Sequence, residues 1–360
     1  MDLQKKLEKL TKKTKTLTEK LNFICPKIPI SRLRQSPTPV ASNLSTIHQL
    51  ESLTGKVYSL SWGGFGSGRN PEGKFMLAAV TDEGELTIYN TENYKPMFRA
   101  NIMSEDPWLM TCAFEHRDSS LISTAGSDGK LYLYRISISE TRDLTFSEHP
   151  QILIQAHTNY ISRTEFLTCL EVLTTSGDKT CKLWSLKPSS EPIRIFEGHK
   201  EDIMSLATTS VNPSIFLTGS CDSTIKLWDI RIPKANTCTF FSHYGHVNSI
   251  KFFNDSEFTF IQGSSAGACL LYDIRTLREI SVYYSPKEQG IVCDVECSKS
   301  GRMIIAGYDN GLVKVWDVFD ERVPIQVLAP HNEQITGICI SPLGDRICTS
   351  SQDYTIAFLG

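Results

Sequence analysis

Three histidine–aspartate pairs could do chemistry in this chain: His157 with Asp178, His199 with Asp222, and His331 with Asp353. An imidazole held by a carboxylate is the arrangement a hydrolase uses to activate a nucleophile. Each pair has a threonine near it, Thr174, Thr218 and Thr349, and the first two have a tryptophan, Trp184 and Trp228. A carboxylate, an imidazole, a hydroxyl and an indole N–H can also close into an internal hydrogen-bond chain that satisfies every member when buried. Every such pair here belongs to a recurring unit, so a scaffold role is expected for all of them. Gly63, Gly64, Gly66 and Gly68 form a glycine-rich loop, but no Lys-Ser/Thr and no helix follow it, as phosphate binding would need. Gly66-Ser67-Gly68 is no nucleophile elbow, and no His/Cys/Asp cluster has metal-ligand spacing. No enzyme and no cofactor are expected.

The elements that position these residues are strands. The stretch from Gly198-His199 to Leu227-Trp228-Asp229 holds three strand-like runs, Ile203 to Ala207, Ile215 to Gly219 and Thr224 to Trp228. Asn212-Pro213 and Cys221-Asp222 read as the turns between them. Gly-His…Trp-Asp is the signature of one propeller blade, and His199, Thr218, Asp222 and Trp228 are its tetrad, as His157, Thr174, Asp178 and Trp184 are in the preceding unit. The closing position recurs at Tyr89, Tyr134, Trp184, Trp228, Tyr272, Trp316 and Leu359, at intervals of 45, 50, 44, 44, 44 and 43. That period predicts an all-β, seven-bladed WD40 propeller over residues 45–360. The long interval comes from a polar insert, Ser137 to Glu148, and a glycine-rich insert, Gly63 to Gly73, lies in the first unit. The fifth unit has Gln262 and Ala266 where Thr and Asp would stand, and the sixth has Asn310 at the Asp position. The outermost strand of the last blade is expected near Ser45 to Leu53, which leaves no long open edge.

Residues 1–24 are different. Leu3, Leu7, Leu10, Leu17 and Leu21 alternate by four and three with Thr14 in the seam, a narrow a/d stripe that predicts an N-terminal coiled-coil helix paired with another chain. Seven lysines against Asp2, Glu8 and Glu19 make this segment +4 within a chain of net −3. Pro26, Pro29, Pro37 and Pro39 mark residues 25–44 as a connector. The near-neutral total does not favour nucleic acid, and eleven cysteines without a C-x-x-C pair read as reduced and intracellular. No apolar run is long enough to span a bilayer, so membrane contact is expected only through a partner.

Positions three and five residues beyond each Gly-His point should gather at one mouth of the ring. They read Lys56/Tyr58, Trp108/Met110, Tyr160/Ser162, Asp202/Met204, His246/Asn248 and Gln334/Thr336, with the sixth unit too irregular to place. Aromatics and methionine with a few charges are the composition of a protein interface.

Several local sequences are more specific than a generic blade: Trp108-Leu-Met-Thr-Cys-Ala113, Thr175-Ser-Gly-Asp-Lys-Thr-Cys181, Asp202-Ile-Met-Ser-Leu206, Gly219-Ser-Cys-Asp222, and Ser298-Lys-Ser-Gly-Arg302 followed by Ala306-Gly-Tyr-Asp309. With the heptad helix and seven units they resemble the beta subunit of heterotrimeric G proteins, over essentially the whole chain. The resemblance implies an obligate gamma subunit on the N-terminal helix, whose prenyl group would hold the pair at the cytoplasmic face of the plasma membrane. It implies reversible binding of a GDP-loaded alpha subunit at the mouth, and of effectors once alpha leaves. The alpha-contacting positions of that family retained here are Lys56, Tyr58, Trp108, Met110, Tyr160, Asp202, Met204, Cys221 and Asn248. Glu85, Thr87, His246, Ser265 and Gln352 depart from it, chiefly on blades one, five and seven. A scaffold or ubiquitin-ligase adaptor of another WD40 class is the competing expectation, and it would have no prenylated companion.

Overall fold

The computed structural model describes residues 44–360, apart from 51–53, 65–74, 103–107, 116–118, 139–143, 148, 187–190, 233–235, 254–255 and 287–288. Residues 1–43, including the expected coiled-coil leucines Leu3, Leu7, Leu10, Leu17 and Leu21, lie outside the described residues. Among the described residues no helix is long and apolar enough to cross a membrane.

Seven antiparallel sheets form, and their innermost strands are Val57–Gly64, Leu109–Phe114, Ile161–Thr168, Ile203–Thr208, Val247–Phe252, Val292–Cys297 and Ile335–Ile340. Each inner strand packs on the next, and the seventh packs on the first, so the blades close into a ring. Alternate residues of a strand face opposite ways, so each blade feeds two joints. Both faces are therefore buried, and the middle strands are buried almost throughout, as in Phe216–Ser220 and Ile304–Tyr308. The hydrophobic clusters follow this geometry, one at each joint. At the joint of blades three and four, for example, Leu173, Cys181 and Leu183 meet Ile203, Phe216 and Trp228.

Blade seven takes its outer strand from the other end of the propeller. Thr46–Leu50 pairs antiparallel with Ile356–Leu359, Thr46 opposite Leu359 and Leu50 opposite Ile356. Ser45 and Gly360 exchange two backbone hydrogen bonds, both 3.1 Å. The expected insert of blade two is not simply a loop. Lys130–Ile138 runs past the blade and pairs with Leu144–Phe146, whose Phe146 stacks on Phe98 of blade one at 4.8 Å. In blade one Gly63 and Gly64 also turn out to be strand residues, paired with Met76 and Phe75.

The two tetrads close as chains. In blade four the Trp228 Nε1–H donates to Thr218 Oγ1 at 2.8 Å, Thr218 lies 2.7 Å from His199 Nε2, and His199 Nδ1 lies 3.0 Å from Asp222. In blade three the same distances, Trp184 through Thr174 and His157 to Asp178, are 3.0, 2.7 and 2.7 Å. An ionised carboxylate only accepts, so the imidazole proton sits on Nδ1, and Nε2 is left to accept the threonine hydroxyl. Blade seven keeps His331 on Thr349 and Asp353, with Leu359 where tryptophan closes the others. In blade six Ala306 replaces the threonine, and the buried Trp316 Nε1 finds no partner among the described residues.

These chains set an acid limit. Burial depresses the His157, His199 and His331 pKa values, against the opposing pull of Asp178, Asp222 and Asp353. A base with a depressed folded pKa contributes stability that is complete above its unfolded value, about 6.5, and is lost as pH falls from there. The partner aspartates also end below the carboxylate range: burial alone would raise them, but hydrogen bonds from His and Thr prevail. Their contribution is lost further down, below about pH 4. The urea midpoint should therefore fall already between pH 7 and pH 5. A midpoint constant across that range would mean that the histidines are not held neutral.

Candidate protein-binding face

One irregularity is common to all seven inner strands. The ladder to the second strand slips after the first residue, between Val57 and Ser59, Leu109 and Thr111, Ile161 and Arg163, Ile203 and Ser205, Val247 and Ser249, Val292 and Asp294, and Ile335 and Gly337. The skipped residues are Tyr58, Met110, Ser162, Met204, Asn248, Cys293 and Thr336. A bulge leaves its extra residue unpaired and re-aims its side chain. The second position of each mouth pair is thus a bulge residue, set by the backbone and free to vary in chemistry. The sixth pair, which sequence alone did not place, is Ile291/Cys293.

The first position of each pair is pinned differently. Its carbonyl accepts the N–H of a residue in the turn between the second and third strands, at 2.9–3.1 Å in each blade: Asp82 on Lys56, Ser127 on Trp108, Gly177 on Tyr160, Cys221 on Asp202, Ser265 on His246, Asp309 on Ile291 and Gln352 on Gln334. The mouth is therefore three concentric sets of residues, and Cys221 belongs to the turn set.

On blades one to four the sets present an apolar patch. Trp108 is 38% exposed and packs edge-on against Tyr58, ring centres 5.1 Å apart. Lys56 lies half-buried beside Tyr58, its backbone N–H on Asp82 at 2.8 Å. Tyr160 Oη donates to Asp202 Oδ2 at 2.7 Å and lies 3.7 Å from Met204 Sδ. Burial and the adjacent Asp202 push the Tyr160 phenol above its ordinary range, so it remains a donor. Gly177 makes room for that ring: a Cβ there would fall 2.4 Å from Tyr160 Cε1. The structure therefore brings Tyr58 to Trp108, and Tyr160 to Asp202 and Met204, while Met110 is half-buried on its bulge.

The polar bulge residues are turned inward, on blade three as well as on blades five and seven. Asn248, expected on the face, gives its amide to the Val292 carbonyl of the next blade at 2.8 Å. Ser162 and Thr336 do the same to Ile203 and Val57, both at 2.5 Å. A polar side chain on the bulge thus hydrogen-bonds a backbone carbonyl across a joint, whereas Tyr58 and Met204 meet side chains of a neighbouring blade, Trp108 and Tyr160. His246 hydrogen-bonds the Cys221 carbonyl, and Gln352, Gln334 and Cys293 form an amide–thiol chain at 3.2 and 3.3 Å. Glu85 is buried and held by Thr54, Thr87 and Arg99.

Beneath the mouth runs an axial channel of ≈ 280 Å³. Arg163 of blade three reaches across it to Asp294 of blade six, 3.5 Å away. Asp294 also accepts from Ser249 Oγ at 2.5 Å and from the Ile338 N–H at 2.9 Å. Lys251 meets Glu296 at 3.1 Å one layer below. Glu296 holds Lys251 well above its ordinary pKa, and burial raises that of Glu296. Among the described residues no group of three or more His, Cys, Asp or Glu is placed to hold a metal ion.

With this geometry in place, comparison with known proteins is specific. The repeat family described as "WD domain, G-beta repeat" matches residues 148–185, 190–229, 278–317 and 322–358. These matches cover the blades closed by Trp184, Trp228 and Trp316 and the seventh, but not the three closed by tyrosine. The chain is similar to a guanine nucleotide-binding protein subunit beta of Nicotiana tabacum, 33% identical over 338 residues, which are 89% of this chain and 86% of the relative. A subunit beta of Oryza sativa subsp. japonica is 33% identical over 340 residues, again 89% and 86%. A subunit beta-5b of Danio rerio is 32% identical over 285 residues, 79% of this chain and 70% of the relative.

Proposed function

The chain belongs to the family of G-protein beta subunits, and from that premise we propose that it is a non-enzymatic signal transducer whose ring mouth binds a GDP-loaded alpha subunit reversibly. The observation that carries this reading is the patch on blades one to four. Trp108, Tyr58 and Met204 are large side chains held on bulges and pinned strand starts, beside one carboxylate, Asp202, fixed by Tyr160. Aromatic anchors around a fixed charge are what the centre of a binding face needs. Their backbones are tied on both sides, so little freedom is lost on association. Effectors would use the same surface when alpha is absent. The inward-turned amides of blades five to seven leave those blades a smaller share in recognition.

Residues 1–24 would pair with a gamma subunit as a coiled coil, with the a/d leucines in the seam. A lipid on gamma would then place the pair at the cytoplasmic face of the plasma membrane.

A single pull-down tests both parts. Trp108→Ala and Met204→Ala should each weaken alpha capture by roughly tenfold or more while leaving the gamma partner bound. Deletion of residues 1–24 should lose gamma first. Undiminished alpha capture by both point variants removes the mouth assignment. Unchanged gamma affinity of the truncated chain removes the coiled coil. The absence of any lipid-modified small companion on co-purification favours a scaffold of another class.

A further inference from the structure

We propose that a groove on the rim of blade four is a second binding site, for an acidic peptide segment that carries an apolar side chain. The proposal does not depend on the mouth reading. It begins with the fifth blade. His157, His199 and His331 each stand four residues before the first residue of an inner strand, and all three are buried in their hydrogen-bond chains. His243 stands at the same place before Val247. Its partners are missing: Gln262 and Ala266 occupy the threonine and aspartate positions. Gln262 Nε2 donates instead to Ser242 Oγ at 2.7 Å. His243 is exposed and makes no hydrogen bond among the described residues.

The released imidazole lines a groove of ≈ 500 Å³ with Phe241, Lys200 and Lys226. Phe241 is 64% exposed at the end of the outer strand Asn236–Phe241. Lys200 is exposed, with its ammonium unpaired among the described residues. The groove has one carboxylate, Asp222, and it is fully engaged: it accepts from the backbone N–H of Lys200 at 2.9 Å and of Thr224 at 2.9 Å, and it holds His199. Lys226 is buried and its ammonium donates to Thr239 Oγ1 at 3.2 Å, so the surface offered to a ligand presents the Lys200 ammonium beside one large exposed ring. Its complement is a chain segment with a carboxylate for Lys200 and an apolar side chain for Phe241.

The test uses the full chain and a fluorescein-labelled peptide of alternating Glu and Asp around one central Phe, followed by anisotropy. Saturable binding is expected. Lys200→Glu and Phe241→Ala, both at exposed positions, should each weaken it by about fivefold or more. A peptide with Gln and Asn for its acids, and one with Ala for its Phe, should lose as much. Trp108→Ala in the mouth should leave peptide binding unchanged. No saturable binding, equal binding of the neutral peptide, or indifference to Lys200→Glu and Phe241→Ala each overturns the proposal. So does loss of binding in Trp108→Ala, which would place the peptide at the mouth. If inorganic phosphate displaces the peptide as well as the unlabelled peptide does, the groove is a bare anion site and the peptide reading falls.

Discussion

Replacing Trp228 with alanine is expected to lower the unfolding free energy by roughly 3–5 kcal/mol, the range for removing a buried aromatic from a well-packed core. The side chain is 1% exposed. It fills the joint of blades three and four, with Phe196 edge-on at 5.7 Å and Phe216 stacked at 6.3 Å. The cavity would open against Leu173, Cys181 and Leu183, which rigid sheets hold in place. A second comparison separates volume from hydrogen bonding. Trp228→Phe keeps most of the packing but leaves Thr218 without its indole donor, at a cost of about 1 kcal/mol beyond the volume change. Trp316→Phe in blade six loses no such bond, because Ala306 already leaves that indole unpartnered among the described residues. Urea unfolding should therefore rank Trp228→Ala below Trp228→Phe, and Trp228→Phe below Trp316→Phe. Equal costs for the two phenylalanine variants would mean that the tetrad bond contributes nothing.

Asp294→Ala should be as damaging for a different reason. It leaves the Arg163 guanidinium facing the channel without its carboxylate, and leaves Ser249 Oγ and the Ile338 N–H without their acceptor. Removing one partner of a largely buried ion pair costs roughly 3–5 kcal/mol, most of it from the charge left behind. Arg163→Met in the Asp294→Ala background should then recover part of the loss. A double-mutant cycle in urea measures that recovery. If the double variant is as unstable as the sum of the singles, Arg163 and Asp294 do not interact across the axis.

The two tryptophans and the pair across the channel mark what the sequence could and could not reveal. Trp184 and Trp228 are legible because their partners recur at fixed distances along the chain, and a local repeat needs only local reading. The strand across from Leu359 was legible by counting, since a sheet lacking an outer strand must find one. Arg163 with Asp294 was not, because blades three and six are neighbours only once a ring has closed. The mouth was half legible. Counting from each histidine finds the strand-start and bulge positions, but alternation gives the two positions of a pair the same facing. The bulge between Ile161 and Arg163, or between Val247 and Ser249, breaks that count. It therefore hid that Ser162 and Asn248 turn into the joints while Met204 remains on the patch. His243 was overlooked for a related reason: the absence of Thr and Asp in its blade was visible, but where an unpaired imidazole goes is a matter of tertiary packing.

The pairing of Thr46–Leu50 with Ile356–Leu359 has a consequence in time. On the ribosome the earliest strand of the ring is made first and its partner among the latest. At about 5–20 residues per second the two are separated by roughly 15–60 s of synthesis. Through that interval six blades can fold in order, each on the one before. The first blade's outward joint, with Val57, Leu60 and Leu77, still has no seventh blade to cover it. The nascent chain therefore carries an apolar flank and an unpaired strand for most of its birth, and both vanish together in one late closure. Until the circle is complete, that flank is open to association with any other apolar surface.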